Sequence, residues 1–168
     1  MAPTLHQLYD EHSASLFGFV LNLTRSEADT RDVLQELFLK LASRPEQLAV
    51  VRQPRAWLLR LAHNLAIDAM RRRAGRDHAI ERAAAEPASL FASSTDPDES
   101  SFRDALATAL ADLPAEQRAV VHLKLWEDLT FAEIAEALDI PPNTAASRYR
   151  YGIDKLQTLL RPIYEELQ

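Results

Sequence analysis

Thr130–Leu156, TFAEIAEALDIPPNTAASRYRYGIDKL, decides the fold of this chain. It predicts two helices joined by a tight turn. Thr130 followed three residues on by Glu133 is a capping box, in which hydroxyl and carboxylate each satisfy an amide that the first helical turn leaves without a partner. Phe131, Ile134, Ala135 and Leu138 then share one face at helical spacing. Asp139 stands where the chain must reverse, and Asp tolerates the left-handed conformation better than most residues that carry a side chain. Pro141 and Pro142 stop the first helix, and Pro142 suits the first position of the next. In that second helix Ala145, Tyr149, Gly152 and Leu156 recur at i, i+4, i+7 and i+11, a stripe for burial. The other side offers Asn143, Thr144, Ser147, Arg150 and Tyr151, with Arg148 near the stripe's edge. These side chains can bond phosphates and base edges, while Ala145, Ala146 and Gly152 permit close approach. The pattern is that of a helix-turn-helix whose second helix is shaped for a major groove. An ordinary helical hairpin with a polar outer face satisfies the same spacing, so the remainder of the chain must separate the two.

The 168 residues suffice for one domain with a sizeable core or for two small ones. Apolar content of 47% fits a soluble globular protein, and three Gly among many Ala, Leu, Glu and Arg predict an almost wholly helical chain. The absence of cysteine excludes disulfides and thiolate metal sites. The N-terminus lacks a basic flank followed by an apolar run, and no apolar run approaches the ~18 residues that suggest a membrane span. A cytoplasmic protein without stable membrane insertion is expected. Net charge is −6, which at first argues against nucleic acid. Its distribution argues otherwise. Arg52–Arg76 holds seven arginines against one acid, Asp68, a local charge of +6; Asp77–Glu116 holds nine acids against Arg82 and Arg103, a local charge of −7. A phosphate feels the local patch, within a screening length of about 8 Å.

Taken in order, Leu5–Leu23 predicts an amphipathic helix capped by Thr4, with His12 as a packing residue near its stripe. Ser26, followed by Asp29, starts a second helix that ends near Ser43, with Val33, Leu34, Leu37, Phe38 and Leu41 inward. Its exposed edge presents Asp29, Asp32, Gln35 and Glu36, which periodicity alone reads as a solvated acidic face. Glu46–Pro54 reads as a loop. Arg55–Arg73 predicts a third helix, with apolar rows Leu58, Leu61, Leu65, Ala69 and Ala62, Ala66, Met70. Trp57, Arg60, Asn64, Asp68 and Arg71 run down a different side, ahead of a positive end at Arg71, Arg72 and Arg73, where the helix dipole favours cations. An aromatic, an amide and arginines on one face form a kit for unpaired bases: stacking surface, edge reader and phosphate contacts. A core tryptophan and a solubilising cap of arginines is the competing account. Ala79–Ala85 can extend this helix, and Glu86–Ser101, with its prolines, serine pairs and acids, reads as a flexible acidic linker. Phe102, Leu106, Ala109 and Leu113 then register on another helix. Pro114 begins the next, with Val120, Leu123, Val121 and Trp126 on its apolar side and His122 as a structural residue. The chain closes in a short tail from Leu159 through Pro162 to Tyr164.

Together the segments resemble a bacterial sigma factor of the extracytoplasmic-function (ECF) type, over nearly the whole chain. The resemblance rests on RDVLQELFLKL at Arg31–Leu41, PRAWLLRLAHNLAIDAMRRR at Pro54–Arg73, and the stretch from Leu113 to Leu156. It implies an all-α fold of two small domains. Residues 1–76 would be the region 2 domain, 77–101 the linker, and 102–168 the region 4 domain carrying the helix-turn-helix. It implies that Asp32, Gln35 and Glu36 dock on the β′ clamp helices of core RNA polymerase, with the β flap as a further contact, and so overrides the solvated-face reading. Arg52, Gln53, Trp57, Arg60, Asn64, Arg71 and Arg72 become candidates for melting the −10 element and holding a flipped base. Asn143, Thr144, Ser147, Arg148, Arg150 and Tyr151 become candidates for reading the −35 element. The family also implies an anti-sigma partner. Ala146 and Tyr151 depart from it, standing where basic residues are usual, which suggests a −35 contact richer in stacking or in contact with a thymine methyl.

Two other readings remain open to the residues themselves: a dimeric helix-turn-helix repressor or activator working without polymerase, and a helical interaction protein whose basic faces bind an acidic partner. No nucleophile–base set, HExxH spacing or phosphate-cradling glycine loop is present, so neither an enzyme nor a cofactor nor a metal is expected.

Overall fold

Four of the helices begin where the sequence supplies an oxygen for their first amides. In the computed structural model, which describes residues 1–77, 90–91 and 95–166, the Thr4 hydroxyl accepts from the Gln7 amide at 3.2 Å and the Gln7 side chain accepts from the Thr4 amide at 2.9 Å. That box launches α1, Leu5–Thr24. Ser26 accepts from the Asp29 amide at 3.2 Å and starts α2, Glu27–Ser43. The stretch expected to be a loop instead winds into a 3₁₀ turn over Pro45–Val50, with Pro45 in its first turn and Leu48 buried. α3 follows at Pro54–Asp77. Ala79–Ala85, expected to continue it, lie outside the described residues.

The chain divides into two compact units, Met1–Ala88 and Ser89–Gln168. In the first, α1, α2 and α3 each pack on the other two. Leu8, Leu16, Phe19, Val20 and Leu23 of α1 meet Val33, Leu37 and Leu41 of α2, and Leu58, Leu59, Ala62, Leu65 and Ala66 of α3, all buried. Each such Leu contributes roughly 1.5–3 kcal/mol relative to exposure. His12 is buried beside this core, as expected of a packing residue. The α3 stripe is rotated from its expected position: Leu59 is buried, while Leu61, Ala69 and Met70 are only half-buried. A three-helix unit offers α3 two neighbours, so the buried arc widens toward the side that faces both.

The second unit starts its helix earlier than expected. α4 spans Pro97–Asp112, with Pro97 at its first position and the Asp96 carboxylate accepting from the Asp98 amide at 3.0 Å. Five residues assigned to the linker, from Pro97 to Ser101, are therefore helical, and Phe102, expected in the stripe, is 38% exposed. α5 is Ala115–Leu125, α6 Phe131–Leu138 and α7 Pro142–Glu166. The Thr130–Glu133 box closes at 2.7 and 3.2 Å, and Asp139 takes the left-handed conformation at φ 54°. α7 packs on α4, α5 and α6 alike. Its stripe is Ala145, Gly152 and Leu156, buried, with Tyr149 half-buried. Gly152 is required there: a Cβ would stand 2.7 Å from Val121 Cγ2. The residues read as a tail are the last turns of α7, which runs through Pro162. Leu159 and Leu160 pack on the buried cluster and hold the helix together past the proline. Between α4 and α5 the buried Arg118 donates to the carbonyls of Leu110, Ala111 and Leu113 at 3.4, 3.3 and 3.2 Å, satisfying the end of α4. No β-strand occurs among the described residues.

Candidate nucleic-acid interface

α3 turns its apolar arc inward, and this leaves a polar edge facing solvent. Arg60, Asn64, Asp68 and Arg71 are all exposed on it, with no hydrogen-bond or ion-pair partner among the described residues. Trp57 starts the same edge and is half-buried, so it is neither a core tryptophan nor a free one. Its amide donates to the Gln53 carbonyl at 3.2 Å, which ties the preceding turn to the helix. Arg52 and Gln53 are exposed in that turn. Six of the seven residues expected at the −10 element thus lie along one edge or at its head. Arg72, the seventh, points elsewhere: its Nη2 lies 3.9 Å from Glu36 Oε2.

That pair brings the α2 edge into the same neighbourhood. Asp32 and Gln35 are exposed and without partners among the described residues, whereas Glu36 is half-buried and also accepts Lys40 at 3.0 Å. Asp29 binds Arg73. The acidic edge of α2 and the basic end of α3 are therefore tied twice, by exposed pairs of the kind worth about 0–1 kcal/mol each. Leu39 shares this edge. It is 62% exposed one turn beyond Gln35 and Glu36, and its i+4 and i+3 spacing from them was the available signal.

On α7, Asn143, Arg150 and Tyr151 are exposed, and Thr144, Ser147 and Arg148 are half-buried. The Ser147 hydroxyl donates to the Asn143 carbonyl at 2.9 Å. Arg148 reaches Glu116 of α5 at 3.6 Å, and the Arg150 guanidinium lies 5.1 Å from the Tyr151 ring centroid, a cation–π pair. The six expected residues share the solvent side of one helix, but only three of them stand clear of protein. Among the described residues no group of acidic or histidine side chains is arranged to hold a metal.

The Sigma-70 region 2 family matches residues 8–76, and the Sigma-70, region 4 family matches residues 103–156. Over 164 residues the chain is 34% identical to the ECF RNA polymerase sigma factor SigL of Mycobacterium tuberculosis, covering 96% of this chain and 92% of that one. This chain belongs to the ECF sigma factors. It is also 32% identical over 154 residues to the RNA polymerase sigma factor CarQ of Myxococcus xanthus, covering 91% and 87% of the two chains. In fold, this sigma factor resembles the solved sigma factor RpoE from Bartonella quintana, crystallised in complex with the anti-sigma factor NepR. The TM-score is 0.71 at 23% identity, over 93% of this chain and 96% of that one. Region 2 thus comprises α1–α3, and region 4 takes in the helix-turn-helix of α6 and α7. Membership sets aside the dimeric repressor and places the chain in a family of promoter-specificity subunits rather than enzymes. No described helix is long and apolar enough to cross a membrane.

Proposed function

We propose that this sigma factor divides its work as follows. The unit of α1–α3 grips core polymerase and opens the −10 element, the unit of α4–α7 reads the −35 element, and the stretch between α3 and α4 joins them. Asp32, Gln35 and Glu36 meet the β′ clamp helices, and the region 4 unit meets the β flap. Arg52, Gln53, Trp57, Arg60, Asn64 and Arg71 take the opened −10 strand, with Arg72 joining once it leaves Glu36. Asn143, Arg150 and Tyr151 make the forward −35 contacts, and Thr144, Ser147 and Arg148 support them. The chain works in the cytoplasm with polymerase, has no catalytic step of its own, and is held in reserve by an anti-sigma protein; the similar RpoE was crystallised in complex with an anti-sigma factor.

The unpartnered Arg60–Asn64–Asp68–Arg71 edge beside Trp57 carries this reading. A helix that offers arginines and an amide to solvent next to a half-covered indole can trap an unstacked base, and unstacking costs only a few kcal/mol. Strand opening then follows from capture. The test is gel filtration of the chain with sigma-free core polymerase, with Gln35→Ala alongside. Stoichiometric binding weakened by the substitution is expected. A chain that ignores core polymerase would overturn the proposal.

A further inference from the structure

The stretch between Asp77 and Ser100 contains one adjacent pair of bulky apolar residues, Leu90 and Phe91. Both are half-buried and pack against the buried cluster of Ala109, Leu110, Leu113, Val121 and Leu156. The Phe91 ring lies 6.3 Å from that of Trp126, tilted by 40°. Trp126 in turn lies 5.3 Å from the His122 ring, and His122 Nε2 is 3.7 Å from Glu127 Oε1, with both of these side chains buried. A column of rings therefore runs from the connecting stretch to a polar pair fixed on and just beyond α5. Trp126 remains 40% exposed even under Phe91.

We propose that Leu90–Phe91 is a clip that fastens the end of the inter-unit connection onto the region 4 unit. The connection available to separate the two DNA-reading units then ends at Ser89, not at the Asp96 cap of α4. The six positions from Leu90 to Thr95 then follow the anchor in sequence. Fully extended, six residues reach about 20 Å, while one base pair of spacer changes the distance between promoter elements by about 3.4 Å. A clip that opens and closes would therefore set how far apart the two elements can lie and still be read together. This consequence for spacing rests on the proposed promoter reading; the clip itself does not.

Two measurements on the full chain test it. Trp57→Phe leaves Trp126 as the single tryptophan of a chain that has two. In that background, Leu90→Ala with Phe91→Ala should raise acrylamide quenching of Trp126 about twofold, since the indole is already 40% exposed. Phe91→Leu, which keeps apolar bulk, should raise it less, and circular dichroism checks that the helices persist. In vitro transcription, in the unmutated Trp57 background, then uses templates whose −35 to −10 spacing is lengthened by one or two base pairs. The alanine pair should gain about threefold in output on these relative to the optimal template, because a longer connection spreads the effective concentration over wider separations. Unchanged quenching would overturn the clip. Raised quenching with an unchanged spacing profile would overturn its role in reach. If wild-type chain gives no transcription from any template, the promoter reading fails, and the quenching result still judges the clip.

Discussion

Gly152 and Asp139 are two positions where the region 4 unit tolerates little choice, for opposite reasons. At Gly152 the limit is space. Gly152→Ala would drive a methyl to within 2.7 Å of Val121 Cγ2, so α5 and α7 must part or Val121 must turn. A loss of about 1–3 kcal/mol in thermal unfolding is expected, as for other overpacked cores. Val121→Ala in the same chain should recover part of it, giving a coupling that distant sites do not show. Additive losses would show that Val121 is not the obstacle. At Asp139 the limit is backbone. Its φ of 54° costs a side-chain-bearing residue energy that glycine avoids, although glycine gives back part of the gain through a freer unfolded chain. Asp139→Gly should stabilise the unit by about 0.5–1 kcal/mol, read as a raised melting temperature. Promoter selectivity should be unchanged, since Asp139 is not among the residues proposed to read the −35 element.

Among the elements, α3 shows how packing sorts arginines that the sequence presents as equals. Arg73 is tied to Asp29 and Arg72 is drawn to Glu36, whereas Arg71 faces solvent alone. Arg71→Gln should therefore shallow the slope of log affinity against log salt for a −10 template by roughly 0.7–0.9, and Arg73→Gln by much less. Equal effects would mean that DNA strips Arg73 from Asp29. The sequence displayed the edge but not this sorting, because Asp29 and Arg73 lie 44 residues apart and periodicity is blind to such a pair. What it did display was local. The box at Thr130–Glu133, the Ser26 cap and the reversal at Asp139 each depend on residues within one turn. Its failures were tertiary. The register of α3 needed both neighbours to be known, the docking of Leu90–Phe91 needed a surface built elsewhere, and α7 crosses Pro162 because Leu159 and Leu160 are held from outside. A proline in an isolated helix costs about 3 kcal/mol, so any local rule ends the helix there. The candidate site was legible as to which helices it uses and less so as to which side chains on them are free. Trp57 turned out half-covered, and Arg148 turned out to be engaged by Glu116.

For the whole molecule, the balance of −6 overall against +6 within Arg52–Arg76 separates two kinds of binding. Nonspecific attraction to duplex follows the phosphates that a surface can neutralise, and a chain with excess acid does this poorly. At about 0.15 M salt, where screening reaches only about 8 Å, free protein should not shift duplex DNA in a gel, while the same protein with core polymerase should form a promoter complex. A shift by the free chain would show that its acids do not shield its basic face, and would revive an activity independent of polymerase. The division of labour between units also predicts separable defects. Gln35→Ala should lower core binding without altering which −35 sequence is preferred, and Tyr151→Ala should do the reverse, as measured by fluorescence anisotropy and by template competition.

Glu36 pairs with both Lys40 of its own helix and, at 3.9 Å, Arg72 of α3. Over evolutionary time this makes one carboxylate answerable to two partners that otherwise never meet. If Glu36 meets polymerase and Arg72 meets DNA as proposed, a lineage that alters Glu36 to suit a drifting polymerase also changes how Arg72 is held. A lineage that alters Arg72 to suit a new promoter also changes the charge presented to polymerase. Substitutions at the two positions should therefore be inherited as a pair.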